Sequence, residues 1–236
     1  VTVKTTDQRA VAAPGPTVAQ LTAEFVGTAL LLAAVVGSGI MADNLSIDEG
    51  LTLLQNAFAT AGVLVALILA FGSVSGAHFN PVVTLTARML GTVTTRTAAA
   101  YTGVQVAGAM LGVAVANVMF DLAVVEVSTK DRSAFNLVFS EAIATFGLIL
   151  VILTVVRSSR PTAVAVAVGG YIAGAYYFTA STSFANPAVT LARMLSDTFA
   201  GIAPESAPAF IAAQVIGAVA AVGVFRVMYP DHAPTT

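Results

Sequence analysis

Six stretches of this chain, about residues 17–40, 51–72, 96–120, 135–156, 162–182 and 206–229, are apolar and nearly free of charge. Each is close to the ~20 residues that a helix needs to cross the hydrocarbon core of a bilayer. Lipid offers no water to satisfy a free N–H or C=O, so such a segment has to close its own backbone hydrogen bonds. The composition agrees with that solvent: 57% of the 236 residues are apolar and 9% are charged, where a soluble domain carries roughly 25% charge. The chain has no cysteine, which removes disulfides, thiolate metal sites and thiol nucleophiles together. With His78 and His232 as its two histidines, it has no metal cluster, and a hydrolase reading fails for want of a nucleophile paired with a base. No cofactor, metal or nucleic-acid partner is expected, and the lipid bilayer is the expected surroundings.

Two further apolar stretches, too short to span, follow Asn80-Pro81-Val82 and Asn186-Pro187-Ala188. A helix that begins inside the membrane leaves its first N–H groups unpaired, and this is tolerated only where they line a cavity or meet protein. Two such starts meeting imply a pore. Proline suits the first helical position because the N–H it lacks has no partner there in any case. Asparagine is among the best N-caps, its carbonyl oxygen accepting an N–H of the first turn. That bond would fix the rotamer and leave the amide NH₂ as two donors pointing into the lumen. A hydroxyl or water oxygen could then accept from Asn80 and Asn186 together. The two positive dipole ends oppose cations, and a central water forced to accept twice interrupts a proton-conducting chain.

The two halves repeat. Glu24 in A-E-F-V-G-T answers Glu141 in S-E-A-I-A-T, 117 residues on; Asn80 answers Asn186 after 106; Gln105 in Q-V-A-G-A answers Gln214 in Q-V-I-G-A after 109. Three spans per half is an odd number, so the second copy must sit inverted. The expected fold is an all-α membrane protein of six transmembrane helices and two re-entrant half-helices. The channel domain is expected over 17–229, with repeats at 17–120 and 135–229. Residues 1–16 read as a disordered cytoplasmic tail without a cleaved signal, and 230–236 as a second tail.

The loops set an orientation. With the N-terminus in the cytoplasm, that side carries Lys4, Arg9, Arg88, Arg96, Arg157, Arg160 and Arg226, against Lys130, Arg132 and Arg193 on the other. This satisfies the positive-inside rule and leaves both termini cytoplasmic.

S-G-A-H-F-N-P-V-V-T (Ser75 to Thr84) and N-P-A-V-T (Asn186 to Thr190) resemble the two signature loops of the aquaporins, or major intrinsic proteins, over roughly residues 17–229. The resemblance implies a passive plasma-membrane channel for small neutral solutes, built as a homotetramer with one pore per subunit. It also implies four constricting positions on the outer side. Family spacing puts these at Thr60, Gly174, Ser183 and Val189. In most of the family the first is aromatic and the last is arginine, so the filter here should be wider and less polar, since arginine brings five donors and a fixed charge. The run Asn186 to Ile202 is similar to a bacterial branch associated with metalloid resistance. That points to hydroxides of arsenic or antimony, with other arsenicals beside them and a general glycerol and water facilitator as the alternative.

Several residues have two readings. Glu24 and Glu141, carboxylates inside apolar spans, are either a proton relay or, as favoured, acceptors for the non-helical segments beside the half-helices. Gln105 and Gln214 are either pore donors or, as favoured, partners of the loops preceding the half-helices. His78 is a pH gate or, by the resemblance, a packed residue of the cytoplasmic vestibule. Arg193, one turn beyond Val189 on the same helical face, is a substitute vestibule charge or a cation favoured by a helix C-terminus; Arg88 is a similar case. Glycines 103, 108, 112, 217 and 223 are expected to let helices approach. Tyr171, Tyr176 and Tyr177 form an interfacial cluster or partly line the outer mouth. A coupled secondary transporter is the competing class, and a closed junctional protein a third.

Overall fold

A computed structural model describes residues 15–158 and 160–230; most of both expected tails lies outside the described residues. Six long helices follow from the six apolar runs: α1 (Val18–Leu45), α2 (Glu49–Ser75), α4 (Thr95–Met119), α5 (Phe135–Arg157), α6 (Pro161–Phe178) and α8 (Ala207–Met228). The two short ones are α3 (Pro81–Met89) and α7 (Pro187–Arg193). Polar side chains punctuate the apolar sequence where helices begin. Thr17 closes a capping box with Gln20, and Asp48 and Thr94 accept from Leu51 N and Thr97 N. Each of these caps satisfies an N–H that the helix itself leaves unpaired.

Five of the six long helices are long and apolar enough to cross a membrane. The remaining one, α6, is shorter than its sequence suggests, for the apolar run continues to 182 while the helix stops at Phe178. Beyond it Thr182 and Ser183 take left-handed backbone angles, φ 65° and 54°. The chain is turning back toward the start of α7, and apolar composition does not record that turn.

Antiparallel traverses define two faces. On the proximal face, where α1 begins, Arg226 Nη2 donates to Met89 O at the end of α3, and the Arg157 guanidinium lies 4.5 Å from the centroid of Tyr229. On the distal face the loop between α4 and α5 runs along the exit of α7, with Glu126 N and Ser128 N donating to Leu195 O and Met194 O. Asp197 takes Thr129 N and Thr129 Oγ1, and Lys130 Nζ donates to Phe199 O.

The tightest helix pairs are α1 with α4 and α5 with α8, and they meet in equivalent ways. A Cβ on Gly108 would run into Phe25 O, and one on Gly217 into Ala142 O, while Gly112 lies equally close to Ala29 O. Small residues at these crossings bring backbones together where lipid supplies no hydrophobic drive. Gly103 and Gly223 differ from expectation, because a side chain at either would meet nothing. They are exposed, on the outer surfaces of α4 and α8.

Candidate functional site: a polar seam through an apolar cavity

Both half-helices start as their sequences dictate. Asn80 Oδ1 accepts from Val82 N at 3.0 Å, and Asn186 Oδ1 accepts from Ala188 N at 2.9 Å and Val189 N at 3.3 Å. Pro81 and Pro187 occupy the first turns. The amide groups, however, are not both free. Asn80 Nδ2 donates to Ala185 O and Asn186 Nδ2 donates to Phe79 O, each at 2.8 Å. Each asparagine thus holds the residue that precedes the other, and the expectation of two lumenal donors apiece is corrected to one. The physical reason is that the carbonyls of Phe79 and Ala185, in non-helical backbone at the centre of the membrane, need donors too.

The segments leading into the half-helices are strained in register. Ala77 and Phe79 have φ of 49° and 48°, and their counterparts Ser183 and Ala185 have 54° and 48°. Left-handed angles cost a non-glycine residue roughly 1–2 kcal/mol each, so other bonds must over-determine this geometry. Glu24 and Glu141, both fully buried, do so. Glu24 accepts Ser75 Oγ, His78 N, Phe79 N and Gln105 Nε2 at 2.6–2.9 Å. Glu141 accepts Phe184 N, Ala185 N and Gln214 Nε2 at 2.9, 2.9 and 2.6 Å.

Gln105 and Gln214 do not bond the loops themselves. Each Nε2 links its glutamate to a threonine inside the half-helix, Thr84 Oγ1 at 3.0 Å and Thr190 Oγ1 at 2.9 Å. Ser75 and Ser181 complete the repeat by accepting Ala77 N and Ser183 N. These serines and threonines recur at the spacing of the asparagines, a signal that attention to the Asn-Pro pair alone passes over. His78 breaks the symmetry. Its Nδ1 lies 3.0 Å from Thr84 Oγ1 and its ring meets Tyr101 edge-on at 5.5 Å, where the other half has Phe184.

Along this seam runs a cavity of about 460 Å³. Its walls are mostly aliphatic, with Val35, Leu64, Ile68, Ile149 and Val168 among them, and its polar lining includes Asn80, Asn186, His78, Thr86, Thr60, Ser183 and Arg193. Three of the four positions expected to constrict it, Thr60, Ser183 and Val189, are on the lining. Gly174 is not. It is exposed on the outside of α6, with open space where a Cβ would be.

One helical face of α6, through Val168, Ile172 and Tyr176, is the one turned inward, and Gly174, the position given by family spacing, is on another face. Tyr176 is on the cavity lining, buried, with Oη 3.1 Å from Thr60 Oγ1. The three tyrosines accordingly separate. Tyr176 lines the cavity, Tyr171 Oη donates to Ala144 O, and exposed Tyr177 donates to Gly50 O. Ser183 Oγ, buried on the lining, has no protein partner.

Arg193 is the last residue of α7, at the helix C-terminus as expected. It is also buried, 3% exposed, donates Nε to Ala200 O, and rests its guanidinium 3.5 Å from the centroid of Phe184. Arg88, by contrast, is exposed and donates to Thr95 Oγ1 at 2.7 Å. Arg132, which sequence reasoning treated as a loop charge, is buried too. It donates Nε to Gly201 O at 2.9 Å and lies 5.0 Å from the same Phe184 ring. Desolvation lowers its pKa, against the attraction of Glu141.

Known proteins carry the same plan. The model of the major intrinsic protein family matches residues 15–163 and 156–235. The aquaglyceroporin AqpS of Rhizobium meliloti (strain 1021) is 51% identical over 204 residues, which cover 86% of this chain and 87% of that one. The X-ray structure of the aquaglyceroporin from Plasmodium falciparum superposes with a TM-score of 0.75, covering 91% of this chain and 98% of that one; at 20% identity it speaks for the fold alone. Family match, relative and fold converge, and this chain belongs to the major intrinsic proteins as a multi-pass membrane channel for small solutes, not an enzyme.

Proposed function

We propose that the chain is a passive channel of the plasma membrane for small neutral polyhydroxyl solutes, metalloid hydroxides such as arsenous acid foremost, with other arsenicals beside them. The observation that carries this reading is Val189 on the cavity lining, beside Thr60, Ser183 and Tyr176. None of these four side chains is charged, and one amide N–H of each central asparagine is left for a solute. Aliphatic walls with few polar groups favour a solute that presents hydroxyls in single file and carries no net charge. Glycerol fits the same description, and the relative named an aquaglyceroporin supports it equally.

The orientation belongs to the same proposal. Arg88, Arg96, Arg157, Arg160 and Arg226 gather on the proximal face, so that face is cytoplasmic. A homotetramer with a pore in each subunit is what the family resemblance implies. A fixed ion site for coupled transport finds no support, since the hydrogen bonds of Glu24 and Glu141 go to the strained segments.

The test is a panel of solutes on purified protein in liposomes: water, glycerol, arsenous acid and arsenate. Arsenous acid and glycerol should equilibrate without accumulating. Val189→Arg should leave water flow measurable and cut flux of the larger solutes by at least ~10-fold, the scale of a lost fit worth about 1.4 kcal/mol. Uphill accumulation driven by a proton or sodium gradient would overturn the channel reading, and unchanged flux of bulky solutes through Val189→Arg would move the constriction elsewhere.

A further inference from the structure

The half-helix dipoles oppose cations at the centre, but the uncharged lining at Val189 adds no fixed charge to them. A charge stands close by. α7 starts at the centre of the molecule and Arg193 is its last residue, so four residues separate it from Val189, about 6 Å along the helix toward the distal mouth. Arg193 lines the cavity. Of its five N–H donors only Nε is engaged, by Ala200 O, and the terminal nitrogens donate to no protein acceptor among the described residues.

Its position is fixed from several sides. Phe184, beneath the guanidinium, is 4% exposed and meets Phe210 edge-on at 5.3 Å. Arg132 comes from a different segment, is 7% exposed, and is held by Gly201 O and by Ser181 O at 3.4 Å. Both guanidinium carbons therefore lie within 5.0 Å of one ring centroid. Neither has a carboxylate in ion-pair contact among the described residues. Glu141, the carboxylate that faces them, already accepts from Phe184 N, Ala185 N and Gln214 Nε2. Backbone carbonyls and the face of an aromatic ring hold these two charges where counter-ions would neutralise them. The result is a concentrated positive field beside a low-dielectric passage.

We propose that Arg193, together with Arg132, is the charge barrier of this channel, set one helical turn distal to an uncharged size constriction at Thr60, Tyr176, Ser183 and Val189. The statement rests on the proposed constriction. Rejection of cations and limitation by size, which an arginine at Val189 would combine in one place, are divided between two levels of the passage. Neutral solutes meet a guanidinium with donors to spare where the lumen is not at its narrowest, so a polyhydroxyl solute can exchange water for those donors before it reaches Val189.

The experiment compares wild type, Arg193→Gln, Arg193→Lys and Arg132→Gln in liposomes. Proton and sodium entry are read under an imposed potential, glycerol flux by light scattering, and folding by a monodisperse oligomer. Arg193→Gln should raise proton or sodium conductance by at least ~10-fold, a larger change than any in glycerol flux, because it removes the charge from the lining. Arg193→Lys, keeping the charge, should stay near wild type, and Arg132→Gln should leak by about 3-fold. A structural role alone would lower folded yield without adding leak to the folded fraction, and that result overturns the proposal. Should Arg193→Gln fail to fold, Arg132→Gln decides, and a wild-type leak there overturns it as well. Raised leak in Arg193→Gln beside unchanged bulky-solute flux in Val189→Arg would retain the charge barrier and remove only the constriction.

Discussion

Truncating Glu141 separates a structural carboxylate from a proton-carrying one. In Glu141→Ala three buried donors lose their acceptor at once: Phe184 N, Ala185 N and Gln214 Nε2. Each buried donor left unpaired costs about 1–3 kcal/mol. The sum approaches 9 kcal/mol at its upper end, but polar groups of a membrane protein also find partners in the unfolded state, which brings roughly 3–5 kcal/mol as the working figure. Against a total stability of about 5–15 kcal/mol this is severe. The two backbone N–H groups concerned lie between the left-handed residues Ser183 and Ala185, so the loss falls on the segment that aims Asn186.

The assay is thermal loss of the monodisperse peak of detergent-solubilised protein, read beside expression yield. Glu141→Ala should fall well below wild type. Glu141→Gln should sit between them, since its carbonyl still accepts one N–H while its NH₂ confronts a second donor. Glu24→Ala, which strips four donors of their acceptor, should be the worst. Wild-type yield and melting in Glu141→Ala, with an altered ratio of glycerol to water flux or an altered proton leak, would refute the structural role.

Three other outcomes follow from the packing. Gly174→Leu should leave both flux and stability unchanged, because that position faces outward into open space, whereas Tyr176→Ala should widen the passage and raise the ratio of glycerol to water flux; an effect of Gly174→Leu on selectivity would contradict the placement of α6. Gly108→Val and Gly217→Val drive side chains into Phe25 O and Ala142 O, and overpacking of this kind costs about 1–3 kcal/mol or more, so both should lower the melting temperature while Gly103→Val and Gly223→Val do not.

At the distal face, hydrogen bonds from the Thr129 backbone first, then from the Thr129 and Ser128 hydroxyls, outweigh the small desolvation and hold the Asp197 carboxyl below its ordinary pKa. A depressed folded-state pKa stabilises above the unfolded value of ~3.9, and the contribution disappears as pH falls through the folded value. Melting should thus be insensitive to this group from neutral pH to about 5 and decline below about 4. Asp197→Asn should flatten that acid-side decline; an identical slope in the variant would count against the assignment.

Much of the architecture was legible because lipid is a demanding solvent. Apolar length alone marked all six long helices, with the largest differences where α1 runs on to Leu45 and where α6 stops at Phe178. The Asn-Pro caps were legible because capping is local, a matter of a side chain and the N–H groups two or three residues on. The partners of Glu24 and Glu141 could be foreseen in kind, since a buried carboxylate beside irregular backbone has few other uses.

What sequence could not supply was direction across the molecule. That Asn80 Nδ2 is taken by Ala185 O depends on where the opposite half-helix stops, 105 residues away. Which face of α6 turns inward depends on its packing against α2 and α5, so family spacing pointed to Gly174 although Tyr176 is the residue on the lining. Arg132 offered no local sign of burial, since its carbonyl partners lie 49 and 69 residues away in sequence.

By itself, then, the sequence determined the solvent, the number of crossings, the inverted repeat and the two half-helices, all of which rest on composition, periodicity and short-range hydrogen bonding; Val189 stood out only through the family resemblance. Only the tertiary structure decided which donors remain free at the centre, which α6 residue lines the passage, and that two guanidinium groups converge on Phe184. Those depend on long-range contacts, in which a carbonyl or an aromatic face from one half of the chain completes a group from the other.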